Sequence, residues 1–81
     1  MKYGVYLLEF DSGKFYLGST NDLDRRLAQH RLGMVRSSKR LGRLLGVAGF
    51  QTCSTLSEAR DLEKKYKSWK NPSKVLAAMH T

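Results

Sequence analysis

Tyr3-Gly4-Val5-Tyr6-Leu7-Leu8-Glu9-Phe10, then Asp11-Ser12-Gly13-Lys14, then Phe15-Tyr16-Leu17-Gly18 is two apolar, aromatic-rich runs joined by a short polar one. Its aromatic and branched residues suit a pleated, partly buried surface, and Asp-Ser-Gly supplies turn chemistry between the two runs. The reading is a β-hairpin. Glycine inside a strand usually weakens it, so Gly4 and Gly18 imply that another backbone or a ligand approaches closely.

Downstream, Ser19-Thr20-Asn21 offers helix caps. Leu23, Arg26, Leu27 and His30 then recur at the i, i+3, i+4, i+7 spacing of one helical face, and Gly33 follows as a stop. This predicts a helix over about 22 to 32. Ser37-Ser38 caps a second, shorter helix through Leu41, Leu44 and Leu45, weakened by Gly42 and ended by Gly46. Phe50 to Ser54 alternates as a third strand with Phe50, Thr52 and Ser54 on one face, which makes Cys53 a packing residue. Thr55-Leu56-Ser57-Glu58 has capping-box spacing, and Ala59, Leu62, Tyr66 and Trp69 give an apolar stripe along a helix of about 57 to 70, ended by Asn71-Pro72. Val75, Leu76 and Met79 allow one or two further helical turns or a frayed tail. The order β-β-α-α-β-α predicts an α+β fold, one small three-stranded sheet flanked by about three helices, as a single domain over residues 1–81.

The chain has 81 residues, 15 Lys plus Arg against 7 Asp plus Glu, and a formal charge of +8. This length holds one modest core. The lone Cys53 forms no internal disulfide, which points to a reducing cytosol, and two histidines with one cysteine argue against structural zinc. Val5 to Leu8 is too short for a signal or membrane segment, so the expectation is a soluble cytoplasmic protein, nucleoid-associated if prokaryotic, with no membrane partner. Arg25, Arg26, Arg31, Arg36, Lys39, Arg40 and Arg43 come with no acid among them, and so do Lys64, Lys65, Lys67, Lys70 and Lys74. Two such blocks attract a polyanion, most commonly nucleic acid, whereas a merely solvated surface is usually of mixed sign.

Arg26 and His30 break the apolar stripe of the first helix. Four residues apart, they are adjacent on one face, where a guanidinium and an imidazole can converge on one ligand. The bland account is a snorkelling arginine beside a boundary histidine. Glu63 interrupts the stripe of the later helix in the same way, and its bland account is an i, i+4 ion pair with Lys67. Tyr6 and Tyr16, taken singly, read as core. Together, tyrosines, an Arg, a His and a carboxylate on a basic domain are the parts needed for phosphodiester hydrolysis: a proton acceptor, a phosphate clamp and a metal ligand.

Gly4-Val5-Tyr6 with Tyr16-Leu17-Gly18 resembles the paired signature of the GIY-YIG nucleases. The resemblance continues in Asp22 to His30, which contains Arg26 and His30, and in Ser57 to Lys65, which contains Glu63, and it spans roughly residues 3 to 71. It implies an antiparallel sheet and a metal-dependent endonuclease that cuts double-stranded or branched DNA, with one Mg2+ or Mn2+ held by Glu63, water and the scissile phosphate. Tyr6 and Tyr16 would line the site, Tyr6 being the better candidate to orient or deprotonate the attacking water. Arg26 would bind phosphate, and His30 would assist proton transfer. A tyrosine is a poor base alone, so a cationic neighbour, Arg26 or His30, is expected to favour the phenolate. Asn71 sits where many members carry an asparagine. The histidine some members carry after the first helix has no counterpart, His80 being too far along, and Lys39 is the candidate substitute. Arg25, Arg31, Arg36, Lys39, Arg40, Arg43, Lys67 and Asn71 are the expected nucleic-acid contacts, with a partner protein or further DNA-binding domain supplying specificity. Two competing readings are a silent nucleic-acid-binding module of the same fold and an interaction domain for an acidic protein; the latter leaves Arg26, His30 and Glu63 unexplained.

Overall fold

The hairpin forms as the sequence predicts: β1 (Tyr3–Phe10) pairs antiparallel with β2 (Phe15–Thr20) in the computed structural model, which describes residues 3–79. The turn closes because Gly13, at φ +85°, donates its N–H to the Phe10 carbonyl at 3.0 Å. Then follow α1 (Leu23–Arg31), the single turn α2 (Arg36–Lys39), β3 (Leu44–Cys53), α3 (Leu56–Trp69) and α4 (Pro72–Met79). The sheet order is β2-β1-β3 with both pairings antiparallel, an α+β fold.

Central strand β1 is buried on both faces. Val5 and Leu7 pack with Cys53, Ala59, Tyr66 and Val75 under α3 and α4, while Tyr6, Leu8 and Phe10 pack with Leu23, Leu27, Tyr16 and Phe50 toward α1. Each buried Val or Leu there contributes about 1.5–3 kcal/mol. The sheet thus separates two helical layers, and Tyr6 faces the α1 side.

The cap of α1 is Asp22, one residue later than expected; its side chain accepts from the Arg25 N–H at 3.2 Å. Thr20 instead bonds the backbone of Asp22. Gly33, at φ +71°, follows the helix as its stop. Thr55 caps α3 as the capping-box spacing predicts, accepting from the Glu58 N–H at 3.1 Å. Asn71 caps α4, accepting from the Lys74 N–H at 3.2 Å, so the tail through Met79 is helical.

The expected helix through Leu41, Leu44 and Leu45 is corrected. Only Arg36–Lys39 is helical, and Leu44 opens β3, which is ten residues long instead of starting at Phe50. Asp11 decides this by pinning Arg43: its N–H donates to the Arg43 carbonyl and its carboxylate accepts from the Arg43 N–H, each at 2.9 Å. The chain at Arg43 is thereby laid beside the hairpin, in register for Leu44 to pair with Phe10. Ser38 does not cap α2 but lies within it, and Ser54 lies outside the strand. His80 lies outside the described residues.

Candidate active site

The Tyr6 hydroxyl is where the polar side chains converge. β1 aims it toward α1, whose i, i+4 pair Arg26 and His30 both reach it: Arg26 Nε donates at 3.4 Å, and His30 Nε2 lies 2.9 Å away. On the far side of the imidazole, Nδ1 is 2.6 Å from Ser38 Oγ, which gives its own proton to the Val35 carbonyl at 3.1 Å. With that hydroxyl proton committed, Ser38 accepts from Nδ1–H, Nε2 carries the free lone pair, and Tyr6 O–H donates to it. Tyr16 closes the group, its ring edge-on to His30 at 4.9 Å and its hydroxyl accepting from Ser37 Oγ at 3.3 Å. Arg26 is further held through Nη1 to Gln29 Oε1 at 2.9 Å.

The charges follow from burial. His30 is 5 % exposed and has the Arg26 cation beside it, so its pKa falls from 6.5 to about 4 and the ring is neutral at pH 7. Burial also raises the Tyr6 pKa, outweighing the Arg26 hydrogen bond that lowers it, while that same bond raises the Arg26 pKa. The phenolate expected from cationic neighbours is therefore not favoured. Tyr6 is a protonated phenol, Arg26 is the cation beside it, and His30 is a neutral acceptor.

Gly18 makes room for this group. It pairs with Tyr6 across the hairpin, and a Cβ there would lie 2.5 Å from the Tyr6 hydroxyl oxygen. At Gly4 a Cβ would run into the Phe50 ring and lie 2.5 Å from the Gln51 carbonyl oxygen. The close approach expected at both glycines is made by the protein itself.

Glu63 stands apart from the hydrogen-bonded group. Its Oε2 pairs with Lys67 Nζ at 2.5 Å, the ion pair of the bland account, yet its charge is felt at the Tyr6 phenol, whose pKa it raises slightly. No group of three or more His, Cys, Asp or Glu gathers to hold a metal among the described residues. One carboxylate completed by water and phosphate oxygens is the donor set that suits Mg2+ or Mn2+, and Glu63 fits that role. Lys67 also lines a second cleft with Lys70 and Asn71, floored by Leu7, Leu17 and Val75. Arg31, Arg36, Lys39, Arg40 and Arg43 are exposed along the end of α1, α2 and the approach to β3, and Lys39 makes no hydrogen bond into the Tyr6 group among the described residues. Ser38 and Gln29, which orient His30 and Arg26, escape sequence reasoning because a serine beside a helix start and a helical glutamine carry no signal of their own.

The description of the GIY-YIG catalytic domain matches residues 2–75. The chain belongs to the GIY-YIG family. A UPF0213 protein of Bacillus pumilus is 32 % identical over 71 residues, covering 88 % of this chain and 72 % of that protein. One of Cupriavidus pinatubonensis is 40 % identical over 68 residues, covering 79 % and 74 %. No solved structure gives a significant match. The GIY-YIG fold is a nuclease-type fold, its nucleases are generally dependent on a divalent metal, and such a domain suggests DNA as substrate. Among the described residues no helix is long and apolar enough to cross a membrane.

Proposed function

We propose that this protein is a divalent-metal-dependent endonuclease that hydrolyses phosphodiester bonds in double-stranded or branched DNA. The observation that carries the reading is the Tyr6 hydroxyl set between a fixed cation, Arg26, and a neutral proton acceptor, His30. An inert core tyrosine needs neither. Arg26 and Tyr16 are half-buried whereas Tyr6 is 1 % and His30 5 % exposed, so the attacking water approaches from the Arg26 and Tyr16 side.

As water attacks phosphorus, its proton passes to the Tyr6 oxygen while the Tyr6 proton passes to His30 Nε2. The new P–O bond forms, the bond to the leaving oxygen breaks and that oxygen takes a proton from solvent, while the imidazolium, whose pKa is about 4, returns its proton to solvent and restores neutral His30. Ser38 holds the imidazole in the accepting tautomer. Arg26 neutralises charge growing on the phosphoryl oxygens, an effect commonly worth 100-fold or more in rate. Tyr16 lines the same wall. Glu63 would hold one Mg2+ or Mn2+, which when bound supplies charge stabilisation at the leaving oxygen. The exposed basic residues bind the flanking strand, and specificity comes from a partner protein or further DNA-binding domain, in the cytoplasm and at the nucleoid in a prokaryote.

The test is incubation of supercoiled, branched and single-stranded DNA with magnesium or manganese, alongside Glu63→Ala. The wild type is expected to cut. The variant should lose cleavage while keeping its fold and DNA affinity, since the one ion pair of the half-buried Glu63 is with the exposed Lys67 a single helical turn away. A variant cutting at the wild-type rate in magnesium overturns the metal assignment, and a wild type that binds DNA without cutting it leaves the silent module.

A further inference from the structure

Beside the Tyr6 group lies a polar cleft of about 250 Å3 lined by Asn21, Arg25, Arg26, Gln29, Leu56 and Arg60, together with the end of β2. It crosses the edge of the sheet, bringing α1 and α3 together although their layers are otherwise separated by it. Three arginines from two helices line it, and no carboxylate does. Arg25 is braced by Asn21 Oδ1 at 2.8 Å and Arg26 by Gln29, whereas the exposed Arg60 side chain has no hydrogen bond or ion pair among the described residues. Three arginines and no carboxylate give this cleft a positive potential that favours an anion, and the planar guanidinium fork matches phosphate oxygens.

Arg26 belongs to both places. Its Nε meets the Tyr6 hydroxyl and its side chain also lines the cleft, so an anion there lies next to whatever binds at Tyr6. We infer that Arg60, with Arg25 across the cleft, holds a DNA backbone phosphate next to the one clamped by Arg26, and thereby sets which bond of the strand lies at Tyr6. This rests on the nuclease reading above. Arg60 is a positioning residue: it does not reach the reacting atoms but fixes the register of the strand that does.

The experiment compares wild type, Arg60→Gln and Arg60→Lys on short duplexes in which single phosphates are replaced, one at a time, by uncharged methylphosphonate. Affinity is measured in calcium, and cut position in magnesium. Wild type should lose about tenfold in affinity at one phosphate beside the cut site, the scale of a charge-assisted contact. Arg60→Gln should bind about tenfold more weakly, become insensitive to that replacement and spread its cuts over neighbouring bonds, with KM rising more than kcat falls. Arg60→Lys should recover much of the affinity. An Arg60→Gln variant that keeps the wild-type pattern of sensitivity overturns the inference while wild-type cleavage stands. A wild type that binds but never cuts overturns the nuclease reading, and the affinity pattern still decides the phosphate contact.

Discussion

At His30, burial and the Arg26 guanidinium both oppose a positive charge, and the imidazole titrates at about 4 instead of 6.5. The consequence for stability has a definite sign. Between those values the unfolded chain binds a proton that the native state refuses, so stability rises with pH across this window. The contribution is fully present above pH 6.5, is lost as pH falls toward 4, and amounts to about 3 kcal/mol in full. Urea unfolding of wild type and His30→Gln at pH 7, 5.5 and 4.5 isolates it, because carboxylates titrate alike in both proteins. The variant's stability should change less over this range. Parallel curves would mean that the ring titrates in the native state as it does in the unfolded chain, and burial beside Arg26 would then not be what sets its charge. The two polar members of the α1 stripe were legible in the sequence because they violate helical amphipathicity. Their charges were legible only in part: an arginine keeps its charge in any setting, but that His30 is held neutral well below its usual range follows from burial beside Arg26.

Elements built from one unbroken period read correctly from sequence, and elements built at a change of period do not. The hairpin, α1 and α3 each carry a consistent pattern and a cap or turn. Leu41, Leu44 and Leu45 have helical spacing, yet Asp11 draws Arg43 alongside the hairpin and Leu44 and Leu45 enter β3. A contact 32 residues away in sequence overrides the local pattern there. Gly18 shows the opposite case, a local signal with a tertiary cause. Gly18→Ala should place its Cβ against the Tyr6 hydroxyl and cost about 1–3 kcal/mol as the phenol or β2 shifts. Gly46→Ala is the matched control, since nothing lies within 4 Å of its added Cβ, and it should leave stability unchanged or slightly raised. Circular dichroism melts read the difference, roughly 4–8 °C for each kcal/mol in a domain of this size. Equal melting temperatures for the two variants would remove the packing reason for glycine at position 18.

Across the whole molecule, the basic excess falls in two acid-free blocks, Arg25 to Arg43 and Lys64 to Lys74. Arg36, Lys39, Arg40 and Arg43 are exposed on α2 and its connection to β3, and none joins an ion pair among the described residues, while α2 also supplies Ser38 to His30. On the proposed reading, these four cations and the Arg25 and Arg60 cleft are the surfaces that a bound strand contacts. Contacts of this kind go to phosphates, so affinity should depend weakly on sequence and fall steeply with salt. Replacing Arg36, Lys39, Arg40 and Arg43 together by Gln should cost little folding stability, because no ion pair is lost with them. Binding to every duplex should weaken alike, and the slope of log affinity against log salt should become shallower by up to about 3 to 4, near 0.9 for each phosphate released. Fluorescence anisotropy at several salt concentrations on two unrelated sequences measures both quantities. Curves overlaying the wild type at low salt would mean that these cations only solvate the surface, and the strand would then have to run along the Lys67 and Lys70 side of α3.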